Sequence, residues 1–160
     1  MTPREVASSI IRESPVLRVD ELLRDAVRVL AQSGLPALPV VSTGNVLAGL
    51  FGEREFMAAL FPGYVGELGY AGFVSDRLDD FLQKRSACAL EPVAKHMNTE
   101  HIAVDEGSSD VGVAEIFLHH RVLVIPVLRD GRPLGVITRA DFFARLSERF
   151  LAGNGDTDPH

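Results

Sequence analysis

The chain has 160 residues, 46% of them hydrophobic, enough to bury a real core. A net charge of −6 with no basic block argues against nucleic acid as the main partner, because phosphate contacts need clustered Lys and Arg. No apolar run approaches the roughly 20 residues that span a membrane, the polar N-terminus does not read as a signal peptide, and the single cysteine, Cys88, excludes an internal disulfide and suits a reducing compartment. The expectation is a soluble cytoplasmic protein.

In chain order, Pro3 to Ile11 reads as a short helix leading into a strand at Val16 to Val19. Leu23, Ala26, Val27, Leu30 and Ala31 recur at three- and four-residue steps, an amphipathic helix that Gly34 is placed to stop. Two strands follow, joined near Ser42 to Asn45, and Glu53 to Phe61 reads as a helix ended by Pro62-Gly63. Residues 61 to 73 hold four glycines and four aromatics, too apolar for a solvated linker. They could form a lid over the core, a dimer contact or a wall of a ligand site. Ser75 then caps a predicted helix from Asp76 to about Ala87, with Leu78, Phe81 and Leu82 on one face. Its acids come first and Lys84 and Arg85 last, matching the helix dipole.

A strand is predicted at Ile102 to Val104, then a helix after Ser109 with Val113, Ile116, Phe117 and His120 along one side. Val122 to Leu128 is strand-like, Asp130-Gly131 signals a tight hairpin, and Leu134 to Ile137 returns. Thr138 stands at a helix N-cap with Asp141 three residues on. The last helix carries an apolar stripe of Phe143, Leu146 and Phe150, and Gly153 to His160 is expected to be disordered.

The chain repeats itself. Pro39 and Pro126, and Gly44 and Gly131, stand 87 positions apart (126 − 39 and 131 − 44). Val6-Ala7 with Val93-Ala94, Ile10 with Met97, Glu13 with Glu100 and Leu17 with Val104 keep that spacing. It falls to 86 after Leu47 and Leu134, so that Gly49 meets Gly135, Glu55 meets Asp141 and Phe56 meets Phe142.

These residues resemble a known family. Val93-x-x-x-Met97, His120-Arg121-Val122, Ile125-Pro126-Val127, Asp130-Gly131-Arg132 and Gly135 to Asp141 resemble a CBS repeat, as do Leu38-Pro39-Val40-Val41 and Gly49-Leu50-Phe51. The pair resembles a Bateman module of the kind found as stand-alone bacterial CBS-pair proteins. The resemblance implies an α+β fold of two β-α-β-β-α repeats packed about a pseudo-two-fold axis. The segments are then repeat one (1–61), a Gly/aromatic insert with a helix (62–91), repeat two (92–151) and a tail (152–160).

The resemblance also implies a regulatory module that binds AMP, ADP or ATP, with S-adenosylmethionine or NAD as other adenosyl ligands, in a cleft between repeats. It requires no cofactor and implies a homodimer that signals to an unknown regulated protein. Carried over residue by residue, Asp141 would hold the ribose hydroxyls and Thr138 would lie near ribose or phosphate. The run Val122, Leu123, Val124, Ile125 and Pro126 would serve the adenine, and Arg139 points into the same region. The chemistry is sensible independently: a carboxylate accepts both hydroxyls of a diol, and a helix N-terminus offers free N–H groups to phosphate. Thr-x-x-Asp is equally a helix-capping box, a reading that leaves a ligand-free interaction scaffold as the alternative function.

Repeat one departs from the pattern, with Gly52 for the hydroxyl residue, Glu55 for the Asp, and Pro36 removing a backbone donor. A second site at Ala37, Leu38, Pro39 and Glu55 is therefore expected to be weak or empty. His119-His120 lack the spacing of a metal site, since adjacent helix residues point about 100° apart. No phosphate loop or catalytic triad is present, so no enzyme is expected.

Overall fold

The computed structural model describes residues 6–61 and 77–155. The Gly/aromatic insert expected at 62–75, with the Ser75 cap and Asp76, lies outside them, as does the tail beyond Gly155. The chain forms two compact units, Pro15–His101 and Met1–Ser14 with Ile102–His160, each built on a three-stranded sheet.

In the unit Pro15–His101, β1 (Leu17–Arg18) runs parallel to β2 (Ala37–Val41) after a crossover through α2 (Leu23–Ser33), and β3 (Leu47–Gly52) returns antiparallel. Helix α1 is the short turn Val6–Ser9 of the other unit. Leu23, Ala26 and Leu30 form the buried face of α2, and Gly34 ends it at φ 72°, the left-handed region where glycine carries no Cβ penalty. Leu38 to Val41 are all buried, so β2 reads as a continuous apolar run rather than an alternating one. Helix α3 spans Glu53–Leu60.

Helix α4 is shorter than its sequence suggests, Leu78–Lys84, and gives way to a 3-10 turn over Ser86–Leu90. The Arg85 guanidinium donates twice to the Ala59 carbonyl, at 3.1 and 2.7 Å, and anchors the chain where the α-helix stops. Phe81 stacks on Phe61 at 5.1 Å, but Leu78 and Leu82 are exposed rather than sharing a packed face.

In the second unit, β4 (Val104–Asp105) is parallel to β5 (Val124–Arg129), with α5 (Asp110–His119) between them, and β6 (Arg132–Thr138) is antiparallel to β5. Asp130 and Gly131 have φ of 53° and 78°, so the turn takes only those two residues and β6 begins earlier than expected. His120 is the extended residue after α5, not part of its side. Helix α6 (Arg139–Gly155) runs into the Gly-rich stretch that was expected to be disordered.

The rotation of α6 corrects the predicted stripe. Phe142 is 5% exposed, whereas Phe143, Leu146 and Phe150 face solvent at 68%, 46% and 67%. Phe142 stacks on Phe117 at 5.6 Å and joins Val6, Ala7, Val113, Ile125, Val127 and Ile137 in the core.

Each unit takes its last sheet contact from the segment that precedes the other repeat in sequence. Arg12 and Val136 exchange backbone hydrogen bonds of 2.8 and 2.9 Å, and Leu50 and Asn98 exchange bonds of 3.0 and 2.7 Å. The two bridges lie 86 positions apart (98 − 12 and 136 − 50), one fewer than the 87 kept by β1 and β4. The repeated glycines follow from this approach. A Cβ on Gly135 would stand 2.7 Å from the Arg12 carbonyl oxygen, and one on Gly49 2.9 Å from that of Asn98. The carboxylate of Asp110 fastens α1, accepting from the N–H groups of Val6 and Ala7 at 2.8 and 2.6 Å.

Candidate functional site

Thr138 closes β6 and is buried, and its Oγ1 accepts the N–H of Asp141 at 3.0 Å. The N–H of Arg139 donates to the Leu123 carbonyl at 2.9 Å, which ties the start of α6 to the chain just before β5. With the hydroxyl performing the cap, the Asp141 carboxylate points elsewhere. Nη2 of Arg12 donates to both of its oxygens, at 2.9 and 2.7 Å. The pair is partly solvated, 48% and 29% exposed, so the contact adds at most about 1 kcal/mol and is easily broken.

Asp141 borders a groove of about 360 Å³ lined by residues 9 to 12 and by Asp141, Ala144, Arg145 and Glu148 of α6. Arg145 lies one turn beyond Asp141, with Nη1 3.4 Å from the Ser9 hydroxyl and Nε 3.4 Å from Glu148. Two guanidinium groups and two carboxylates thus share one small space. Such a set can accept a diol at the carboxylate and an anion at the guanidinium groups.

The other predicted residues sit differently. Val124, Ile125 and Pro126 are buried within β5, Val122 packs against the core, and Leu123 and Arg139 are exposed. None of them lines the groove. Sequence reasoning missed Arg12 and Arg145. The second had a signal, because Asp141 and Arg145 form an i,i+4 pair on one helix face. Arg12 had none, since it is 129 positions from its partner.

The matching turn in repeat one is built the other way round. Glu55 reaches back to accept the N–H of Gly52 at 2.9 Å, so its carboxylate serves the cap. A Cβ on Gly52 would stand 2.4 Å from the Pro36 carbonyl oxygen, so that turn has no room for a hydroxyl side chain. Ala37 is half-buried, and Leu38 and Pro39 are buried in β2. Asn98 Oδ1 caps its own turn by accepting the N–H of Glu100.

Charge is organised elsewhere as well. Glu106 and Arg129 form a two-pronged pair at 2.8 and 2.7 Å that lowers the carboxyl pKa and raises the guanidinium pKa. Among the described residues no group of three His, Cys, Asp or Glu is placed to hold a metal ion.

The profile of the CBS domain matches residues 6–62 and 93–148, both repeats and most of the chain. The chain belongs to the CBS-domain family. Solved CBS structures share the fold. A CBS domain-containing protein of unknown function from Kribbella flavida is 23% identical, with a TM-score of 0.69 over 88% of this chain and 97% of that one. A putative acetoin utilization protein, AcuB, from Vibrio cholerae is 18% identical, with a TM-score of 0.68 over 96% and 97%. CBSX2, solved in complex with AMP, is 18% identical, with a TM-score of 0.67 over 92% and 99%. The two CBS repeats of this chain are thus unequal at their helix-opening turns, one closed by Gly52 and Glu55, the other leaving Asp141 free of capping.

Proposed function

We propose that this CBS pair is a regulatory module that binds an adenine nucleotide (AMP, ADP or ATP) or another adenosyl ligand such as S-adenosylmethionine or NAD at the groove beside Asp141. The observation that carries the reading is the division of labour in repeat two. Thr138 satisfies the helix N-terminus, which leaves the Asp141 carboxylate bordering an open groove. That carboxylate takes the ribose hydroxyls, and the base rests near Val122 and Leu123, where the apolar run keeps some exposure. The AMP complex of CBSX2, a protein of the same fold, supports this ligand class. Repeat one's turn, crowded at Gly52 by the Pro36 carbonyl and capped by Glu55, supports a second site that is weak or empty.

No catalytic step is assigned, and the module acts by passing its ligand state to a partner. A ligand does this only if it binds two states unequally. The solvent-facing stripe of Phe143, Leu146 and Phe150 supports self-association as one route. Among the described residues no helix is long and apolar enough to cross a membrane.

The test is thermal unfolding with saturating AMP, ATP, NAD and S-adenosylmethionine. A ligand at about 100 times its Kd adds about 2.7 kcal/mol, several degrees in Tm for a domain of this size. A shift abolished by Asp141→Ala supports the reading. No shift with any of them, in protein free of co-purified nucleotide, moves the function to a ligand-free interaction scaffold.

A further inference from the structure

We propose that Arg12 makes the groove selective for phosphorylated ligands over their uncharged nucleosides, by holding Asp141 until an anion replaces it. The inference rests on the reading that Asp141 takes the ribose of an adenosyl ligand. In the structure both oxygens of Asp141 already accept from Arg12 Nη2. A ribose diol that docks on Asp141 must displace that guanidinium. A neutral nucleoside then leaves Arg12 without its counter-charge, while a phosphate on the same ligand restores one and accepts the planar fork of donors.

Two further features suit the exchange. The backbone of Arg12 is fixed to Val136 by a hydrogen bond in each direction, so the guanidinium can swing while its base stays in place. Arg145 borders the same groove, and both of its contacts, to Ser9 and to Glu148, are long at 3.4 Å. It is a second donor ready to turn toward an anion. Repeat one has no counterpart, because Asn98 bridges Leu50 where Arg12 bridges Val136.

Calorimetric titration of the full chain with AMP and with adenosine tests the proposal, on wild type, Arg12→Ala and Arg12→Gln, each checked for folding by circular dichroism. Wild type is expected to bind AMP at least about tenfold more tightly than adenosine, the scale of one charge-assisted hydrogen bond. Both variants are expected to lose about that factor for AMP and to bind adenosine at least as well as wild type, so that the preference collapses. Equal affinity of wild type for the two ligands, or a preference that survives both substitutions, overturns the inference and leaves the adenosyl reading standing. Failure of folded wild type and both variants to bind either ligand overturns this inference, and the adenosyl reading falls with it only if ATP, NAD and S-adenosylmethionine also fail to bind.

Discussion

The carbonyl oxygen of Pro36 lies 2.4 Å from the point where a Cβ on Gly52 would stand, and the Ala37 Cβ lies 2.6 Å from it. The same carbonyl accepts the N–H of Glu53 at 3.0 Å, so it cannot retreat without releasing the first turn of α3. Gly52 has an extended backbone, so this is crowding and not strain at φ. Gly52→Thr, which would restore the hydroxyl seen at Thr138, is therefore expected to destabilise the protein by about 1–3 kcal/mol, the usual cost of overpacking. Urea unfolding measures it. An unchanged midpoint would show that the β2–α3 corner yields, and that repeat one's turn is not closed by packing.

Thr138 makes the converse prediction. Its buried hydroxyl accepts the Asp141 N–H, and Thr138→Val keeps the shape while leaving that donor without its acceptor. A loss of about 1–2 kcal/mol is expected, with Thr138→Ser recovering most of it. Denaturant midpoints of the three proteins decide the matter. If Val and Thr prove equally stable, the cap is not what holds the start of α6.

The repeat was legible because its signals are local. The turn glycine and the strand proline each depend on a few neighbouring residues, and their recurrence at a spacing of 87 marks both halves, although Gly52 stands in repeat one where repeat two has Thr138. What packs with each half was not legible. The spacing aligns Val6-Ala7 with Val93-Ala94 but does not say that the first pair belongs with the second sheet, where Asp110 holds it. The one-residue change from 87 to 86 at the Arg12 and Asn98 bridges is equally silent, because sheet pairing is a contact between distant residues. The turn marks Asp141 in the sequence, but nothing local marks Arg12, its partner 129 positions away.

The buried face of α6 differs from the apolar pattern for a related reason. Phe143, Leu146 and Phe150 have good helical spacing, yet the helix phase is fixed by the Thr138 cap and turns Phe142 inward. Phe142→Ala is expected to cost about 3–5 kcal/mol, since it opens a cavity beside Phe117. Phe143→Ala, a surface change, should stay within about 0.5 kcal/mol in dilute protein. Equilibrium unfolding of both variants separates the two faces. The reverse ordering would mean that α6 is rotated by about 100°, one residue's turn of the helix.

Acid sensitivity should appear at Glu91. Hydrogen bonds from Lys95 and His96, and secondarily their charges, hold its carboxyl below the ordinary carboxylate range near 4.5. The contact steadies a segment whose backbone is already tied to the first unit. The Glu91 carbonyl accepts the N–H of Leu23 at 2.8 Å, and Val93 donates to Glu21 at 2.7 Å. Because the folded pKa is depressed, the unfolded chain takes up a proton first on acidification. The stabilisation is therefore complete above the unfolded value and is lost as pH falls through the folded one. Glu91→Gln removes the ionisable group. Tm profiles from about pH 7 down to about pH 3 should show wild type above the variant at neutral pH, with the gap closing below the ordinary carboxylate pKa. A gap that stays constant across that range would show that Glu91 acts through packing and not through its charge.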